Sequence, residues 1–202
     1  MKLYVTPGAC SLSPNIVAHE AGIPLELKKV DLRAKVVSGG GDYNQINSKG
    51  SVPLLQLDNG VKLTEGPVIV QYLADQKPQS GLMPPAGSFE RYQVLEWLNF
   101  ISSEIHKSFS PMFNPAASAD WKQGALANLQ RRFDFADSHL KNREFLVGDR
   151  FSVADAYLFT VLGWTKYAGM DLSKWPALAA YAQRIATRPK VQEAIKAEQS
   201  LS

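Results

Sequence analysis

The chain has 202 residues, 45% of them apolar and 20% charged, an ordinary globular composition long enough to bury a substantial core without staples. A single cysteine excludes an internal disulfide framework, and a net charge of +3 with no basic tract gives no electrostatic reason for a nucleic-acid or anionic-membrane partner. The N-terminus lacks the apolar run of a secretory signal and no stretch is apolar for the length of a membrane span, so the cytoplasm is the expected compartment.

Lys2 to Thr6 reads as a strand, closed by Pro7-Gly8. Ser11 to Gly22 reads as a helix: Ser11 is a candidate N-cap, Pro14 sits in the first turn where its missing N–H costs little, and Gly22 with Pro24 stops it. Leu25, Leu27 and Val30 fall in a second strand, and a short helix follows. Leu54 to Leu57 and Val61 to Thr64, around Asp58-Asn59-Gly60, read as a hairpin, and Gly66 to Gln76 as a helix with Pro67 in its first turn. This order predicts a small mixed sheet. Lys77 to Ser88, with Pro78, Gly81, Pro84, Pro85 and Gly87, reads as a linker. Beyond it the periodicity is helical only, near Phe89–Phe113, Ala119–Lys141, Val153–Tyr167, Pro176–Arg188 and Lys190–Glu198. The expected organisation is an α/β domain over residues 1–77, a linker over 78–87 and an all-helical domain over 88–202.

Cys10 follows a strand and precedes a helix start, where free N–H groups and the positive dipole end favour a thiolate. The alternative is a buried small hydrophobe. Ser11 beside it can cap the helix or donate to a substrate sulfur. Ser51-Val52-Pro53 precedes the hairpin, where a proline marks special backbone geometry. Thr64-Glu65-Gly66-Pro67 opens the third helix. Glu65 there complements the dipole or, with the free N–H groups, meets an amino-acid-like ligand end. After the linker, Val94, Leu98, Ile101 and Ile105 form an apolar stripe, and Asn99, Ser103, His106 and Ser110 a polar one beside Lys107. The polar stripe is either a solvated face or a cleft lining whose histidine serves a thiolate. Ser152-Val153-Ala154-Asp155 reads as a capping box with Asp in place of the usual Glu or Gln, a structural feature.

No Walker loop, dinucleotide fingerprint or Gly-x-Ser-x-Gly elbow is present. His19, His106 and His139 have no metal-ligand spacing with Cys10, so no metal site is expected.

In their order and spacing, M-K-L-Y…P-G-A-C-S-L-S-P, S-V-P, L-T-E-G-P, W-L-N-F-I-S-S-E-I-H-K and F-S-V-A-D resemble a bacterial glutathione transferase of the beta class, over nearly the whole chain. The resemblance implies the cytosolic glutathione transferase fold: an α/β thioredoxin-like N-terminal domain, an all-α C-terminal domain and a homodimer. It implies glutathione as co-substrate with no further cofactor, and conjugation to apolar electrophiles in detoxification. Cys10 matches the cysteine beside the glutathione sulfur. Val52 matches the backbone that pairs with the cysteinyl part, with Pro53 expected cis. Glu65 and Gly66 match the γ-glutamyl site, and Lys35 the lysine that reaches the glycine carboxylate. Asn99, Ser103, Glu104 and His106 match positions around the site, some from the partner subunit. His106 and Lys107 are expected on the sulfur side, with Trp164 walling a second-substrate pocket. Phe109, Met112, Phe113 and Tyr167 are further candidate walls, or simply core.

Two departures stand out. Asn47-Ser48-Lys49-Gly50 replaces the family's Asn-Pro-x-Gly, and Gly66 stands where many transferases have Ser, removing a hydroxyl donor worth about 1 kcal/mol. Two other functions fit the same residues. One is monothiol exchange or reductive dehalogenation through a Cys10–glutathione disulfide. The other is non-catalytic binding of glutathione or a hydrophobic ligand.

Overall fold

A computed structural model describes residues 1–201. In chain order the elements are β1 (Lys2–Val5), α1 (Leu12–Ala21), β2 (Glu26–Asp31), β3 (Val36–Val37), α2 (Tyr43–Ile46), β4 (Leu54–Gln56), β5 (Lys62–Thr64) and α3 (Gly66–Asp75). They continue with α4 (Phe89–Phe100), α5 (Ser110–Phe113), α6 (Ala119–Leu140), α7 (Val153–Leu162), α8 (Pro176–Ala186) and α9 (Pro189–Gln199). The chain divides into two units: Met1–Met83 together with the chain from Thr187 onward, and Pro84–Ala186.

The first unit is built on a five-stranded sheet in the order β3-β2-β1-β4-β5, parallel between β1 and β2 and antiparallel elsewhere. Strand alternation sends Tyr4 to one face, where it joins a buried cluster of Val30, Val37, Tyr43, Val52 and Leu54. Its ring lies 5.7 Å from that of Tyr43. The same alternation turns Leu3 and Val5 to the other face, and both are fully buried. There α1 and α3 pack together and bury Ile16, Val17, Ile69, Val70 and Leu73. The mixed sheet and the hairpin agree with the sequence reading. The two-residue strand β3 was not expected, being too short to leave a periodic pattern.

The last helix departs from the expected boundary. The sequence pattern places residues 88–202 in one helical domain, yet α9 belongs with the first unit and packs on α1. Its buried residues Val191 and Ala194 meet that helix, Asn15 Nδ2 donates to the Ala194 carbonyl at 3.0 Å, and Arg188 pairs with Glu20 at 2.7 Å. Helical periodicity reports an apolar face but not which partner covers it.

In the second unit the expected single helix over Phe89–Phe113 runs on with changing pitch: α4, a π-helical turn at Ile101–His106, a 3₁₀ turn at Lys107–Phe109, then α5. Pro111, in the first turn of α5, cannot donate to the preceding turn, which accounts for the 3₁₀ step before it. The helix expected from Val153 to Tyr167 ends at Leu162 and gives way to a 3₁₀ turn at Thr165–Ala168. Asp155 ties this unit together. The fully buried carboxylate accepts from Leu146 N (2.9 Å), Ser152 N and Oγ (2.8 Å each) and Tyr181 Oη (2.9 Å). The capping box is therefore formed, and it reaches beyond its own helix. Among the described residues no helix is long and apolar enough to cross a membrane.

Candidate functional site

Strand directions bring the sequence-predicted residues of the first unit to one end of the sheet. Tyr4, near the end of β1, lies opposite Leu54, the first residue of β4, and Leu54 lies opposite Thr64, the last of β5. The loop carrying Cys10, the Val52-Pro53 element and the Glu65-Gly66 start of α3 therefore leave the sheet at the same end. Because β2 runs parallel to β1, Lys35 in the turn after β2 arrives there as well.

Cys10 Sγ donates to the Val52 carbonyl at 3.1 Å, and the Val52-Pro53 peptide is cis, as the resemblance implied. The expectation that the helix start makes Cys10 a thiolate is corrected. Burial pushes its thiol up to about 12, and the nearby carboxylates Glu198 and Glu65 add to the rise. Backbone N–H groups of Cys10 and Ser11 oppose the shift without reversing it. Cys10 is thus a hydrogen-bond donor that keeps its proton near neutral pH.

Ser11 is also placed differently from expectation. It occupies the N-cap position of α1 but its side chain makes no cap bond. The fully buried hydroxyl instead donates to Thr6 O (3.2 Å) and accepts from Thr6 N (3.1 Å). This closes the loop on itself and spends the donor that a substrate sulfur would need. Ser13 Oγ holds the Cys10 carbonyl at 2.8 Å. From the other side Gly8, whose φ of 76° places it in the left-handed region, donates its N–H to Glu198 Oε2 at 3.1 Å.

Glu198 on α9 was missed by sequence reasoning. It is 2% exposed, and its second oxygen, Oε1, has no hydrogen-bond partner among the described residues. Burial raises this carboxyl from 4.5 to about 7, against the opposing Gly8 N–H bond and the polar Asn15 side chain nearby.

Glu65 begins α3 with a positive φ of 70° and makes no cap bond of its own. Lys49 Nζ contacts Glu65 Oε1 at 2.5 Å and Thr64 Oγ1 at 3.0 Å, so this carboxylate already receives an ammonium group. Behind it Gly66 is buried close to Pro53: a Cβ there would stand 3.8 Å from Pro53 Cγ, an ordinary contact, so a serine would fit. Lys35 Nζ donates to Gly50 O at 2.6 Å, and Gly50 in turn follows the Asn47 turn, where Asn47 Nδ2 and Tyr43 Oη both hold Ser51 O. The Asn-Ser-Lys-Gly loop is therefore firmly bonded despite lacking the family's proline.

The second unit holds His106, Lys107, Asn99, Ser103, Glu104 and Trp164. The expected polar row of Asn99, Ser103, His106 and Ser110 is interrupted, because the π-turn from Ile101 to His106 breaks the helical register. Asn99 and Ser103 are exposed and linked, Ser103 Oγ donating to Asn99 O at 3.0 Å. Glu104 pairs with Arg132 at 2.5 Å, and Lys107 is exposed. His106 turns toward Tyr157, with Nδ1 2.6 Å from the phenol oxygen, and toward Trp164, whose ring stands edge-on at 4.8 Å. Trp164 is buried and also contacts Phe109 and Phe113 at 5.6 Å each. Phe109 is core, whereas Phe113 and Tyr167 are more than half exposed and stack edge to face at 5.8 Å. Tyr157 is the second residue that sequence reading missed. Among the described residues no group of three or more His, Cys, Asp or Glu side chains is arranged to hold a metal ion.

Residues 8–76 match the family described as Glutathione S-transferase, N-terminal domain, and residues 100–189 match Glutathione S-transferase, C-terminal domain. The chain is 44% identical to Glutathione S-transferase GstA of Escherichia coli O157:H7 over 98% of each protein. Among solved structures it is similar to a sphingomonad glutathione S-transferase complexed with glutathione, at 46% identity, a TM-score of 0.95 and coverage of 99% of this chain and 100% of that one. It is likewise similar to the bacterial beta class enzyme of Sphingomonas chungbukensis, at 45% identity, a TM-score of 0.95 and coverage of 98% of each.

Proposed function

The chain belongs to the glutathione S-transferase family and is a glutathione transferase of the bacterial beta class; from that premise we propose how its own residues hold glutathione and which sulfur does the chemistry. Glutathione lies along the sheet end of the first unit. Its cysteinyl backbone pairs with Val52 ahead of cis-Pro53. Its γ-glutamyl ammonium replaces Lys49 on Glu65 while the adjoining carboxylate meets the N-terminus of α3 at Gly66. Its glycine carboxylate takes the Lys35 ammonium. The attacking group is the glutathione thiolate. It forms a carbon–sulfur bond to an apolar electrophile as the leaving group departs, and no further cofactor is required.

The observation that carries this reading is the Cys10 thiol, protonated and donating to Val52 O at 3.1 Å. A protonated thiol can turn its donor to a neighbouring thiolate, whereas it is a poor nucleophile. That favours conjugation over exchange or reductive dehalogenation through a Cys10–glutathione disulfide. Within the second unit, His106 and Lys107 supply a donor and a positive charge of the kind that stabilises a thiolate. The exposed aromatics Phe113 and Tyr167 suit an apolar, aromatic second substrate.

The chain acts as a homodimer in the cytoplasm. Support for the dimer comes from an aromatic face on α4 and α6, where Phe89, Tyr92 and Phe135 are each more than half exposed. Phe100 and Phe135 stack there at 5.2 Å. Asn99, Ser103 and Glu104 are proposed to serve the partner's glutathione.

Calorimetric titration with reduced glutathione, followed by a conjugation assay with a chlorodinitrobenzene, tests the reading. Saturable binding with turnover is expected. Binding without turnover would instead favour a non-catalytic role, and absence of binding would overturn the assignment of the site.

A further inference from the structure

The contact between His106 and Tyr157 decides which nitrogen of the histidine carries the proton. The Nδ1···Oη separation is 2.6 Å. That is shorter than the span of about 2.7–3.2 Å typical when an N–H donates to oxygen, and it suits a hydroxyl donor. Chemistry agrees with length. A phenol is a far stronger acid than a neutral imidazole N–H, and an imidazole nitrogen is a far better acceptor than a phenol oxygen. The proton therefore belongs to Tyr157, and Nδ1 is the acceptor.

We infer that Tyr157 is a positioning residue for His106: its phenol donates to Nδ1, so the neutral imidazole carries its own proton on Nε2 and presents that edge as a hydrogen-bond donor. The bond one ring nitrogen makes sets the tautomer of the other. Three features make the arrangement rigid. Tyr157 is 1% exposed, in α7, two residues beyond the Asp155 hub that fixes the start of that helix. The imidazole meets the Tyr157 ring at 5.8 Å and 75°. Trp164, itself buried, stands at 4.8 Å and 74° to the imidazole and blocks its rotation. The π-turn ending at His106 delivers the side chain to this corner. The use of the Nε2 donor on a thiolate rests on the proposed function; the tautomer itself does not.

The test has two arms. Long-range nitrogen–proton NMR of the free protein, at a pH where His106 is neutral, should show the Nε2–H tautomer, and Tyr157→Phe should move the Nδ1 resonance toward that of a nitrogen without a hydrogen bond. An Nδ1–H pattern in the wild type, or an unmoved Nδ1 resonance in the variant, overturns the inference. The wild-type spectrum decides even if the variant folds poorly. In the second arm Tyr157→Phe should lower kcat about five- to tenfold, the loss of roughly one hydrogen bond, with KM for glutathione within about twofold. This loss should vanish when His106 is already alanine. Losses that multiply in the double variant would show that Tyr157 does not act through His106. Failure of conjugation in the wild type would count against the proposed function and leave the NMR arm intact.

Discussion

The starts of α1 and α7 look alike in sequence and do opposite work. Each opens on a serine at the N-cap position. At α7, Ser152 and Asp155 satisfy one another, and the carboxylate recruits Leu146 and Tyr181 from elsewhere in its unit. At α1, Ser11 gives its hydroxyl to Thr6 and makes no cap bond. The helix start that satisfies its own donors holds the fold together. The one that does not is built into a loop, pinned by Thr6, Ser13 and Glu198, that presents a thiol. Stability and function are separated between two versions of one local motif.

The largest effect is expected at Asp155. Asp155→Ala leaves two backbone N–H groups and two hydroxyls without their shared acceptor, and should destabilise the protein by about 3–5 kcal/mol. Thermal unfolding should register this as a large fall in Tm. A shift no larger than that of an ordinary surface substitution would remove Asp155 from its central position.

At the α1 loop the next effect depends on pH. The folded carboxyl of Glu198 lies at about 7, above its ordinary 4.5. Its stabilising share is therefore fully present below about pH 4.5 and is lost as the pH rises through about 7, to a limit of about 3 kcal/mol. Glu198→Gln has no such proton and keeps a carbonyl for Gly8. The Tm of the wild type relative to this variant should fall between about pH 5 and about pH 8. Parallel curves would show that Glu198 has the same pKa folded and unfolded.

Glu65 comes next, because the loss is confined to ligand binding. Glu65→Gln removes the charge that meets an ammonium, and should raise KM for glutathione about tenfold while leaving Tm and kcat nearly unchanged. An unchanged KM would assign Glu65 to Lys49 alone.

Much of this was legible in the residues themselves. The mixed sheet, the hairpin, the helix starts and the Asp155 box follow from local patterns of proline, glycine, serine and apolar spacing. The convergence of Cys10, Val52-Pro53 and Glu65-Gly66 follows from strand order once the sheet exists. What stayed hidden depends on partners far along the chain. Tyr157 meets His106 across 51 residues, and Glu198 meets Gly8 across 190. Neither leaves a periodic trace. The thiolate expectation at Cys10 failed for a related reason: the helix start was visible, but the burial that outweighs it comes from tertiary packing.

The most direct test of the account is the turnover of Cys10→Ala at saturating glutathione. If glutathione supplies the attacking sulfur and Cys10 only one of its donors, the variant should keep kcat within about tenfold of wild type with its Tm preserved. Complete loss of conjugation in a folded variant would make Cys10 the reacting sulfur and contradict the account.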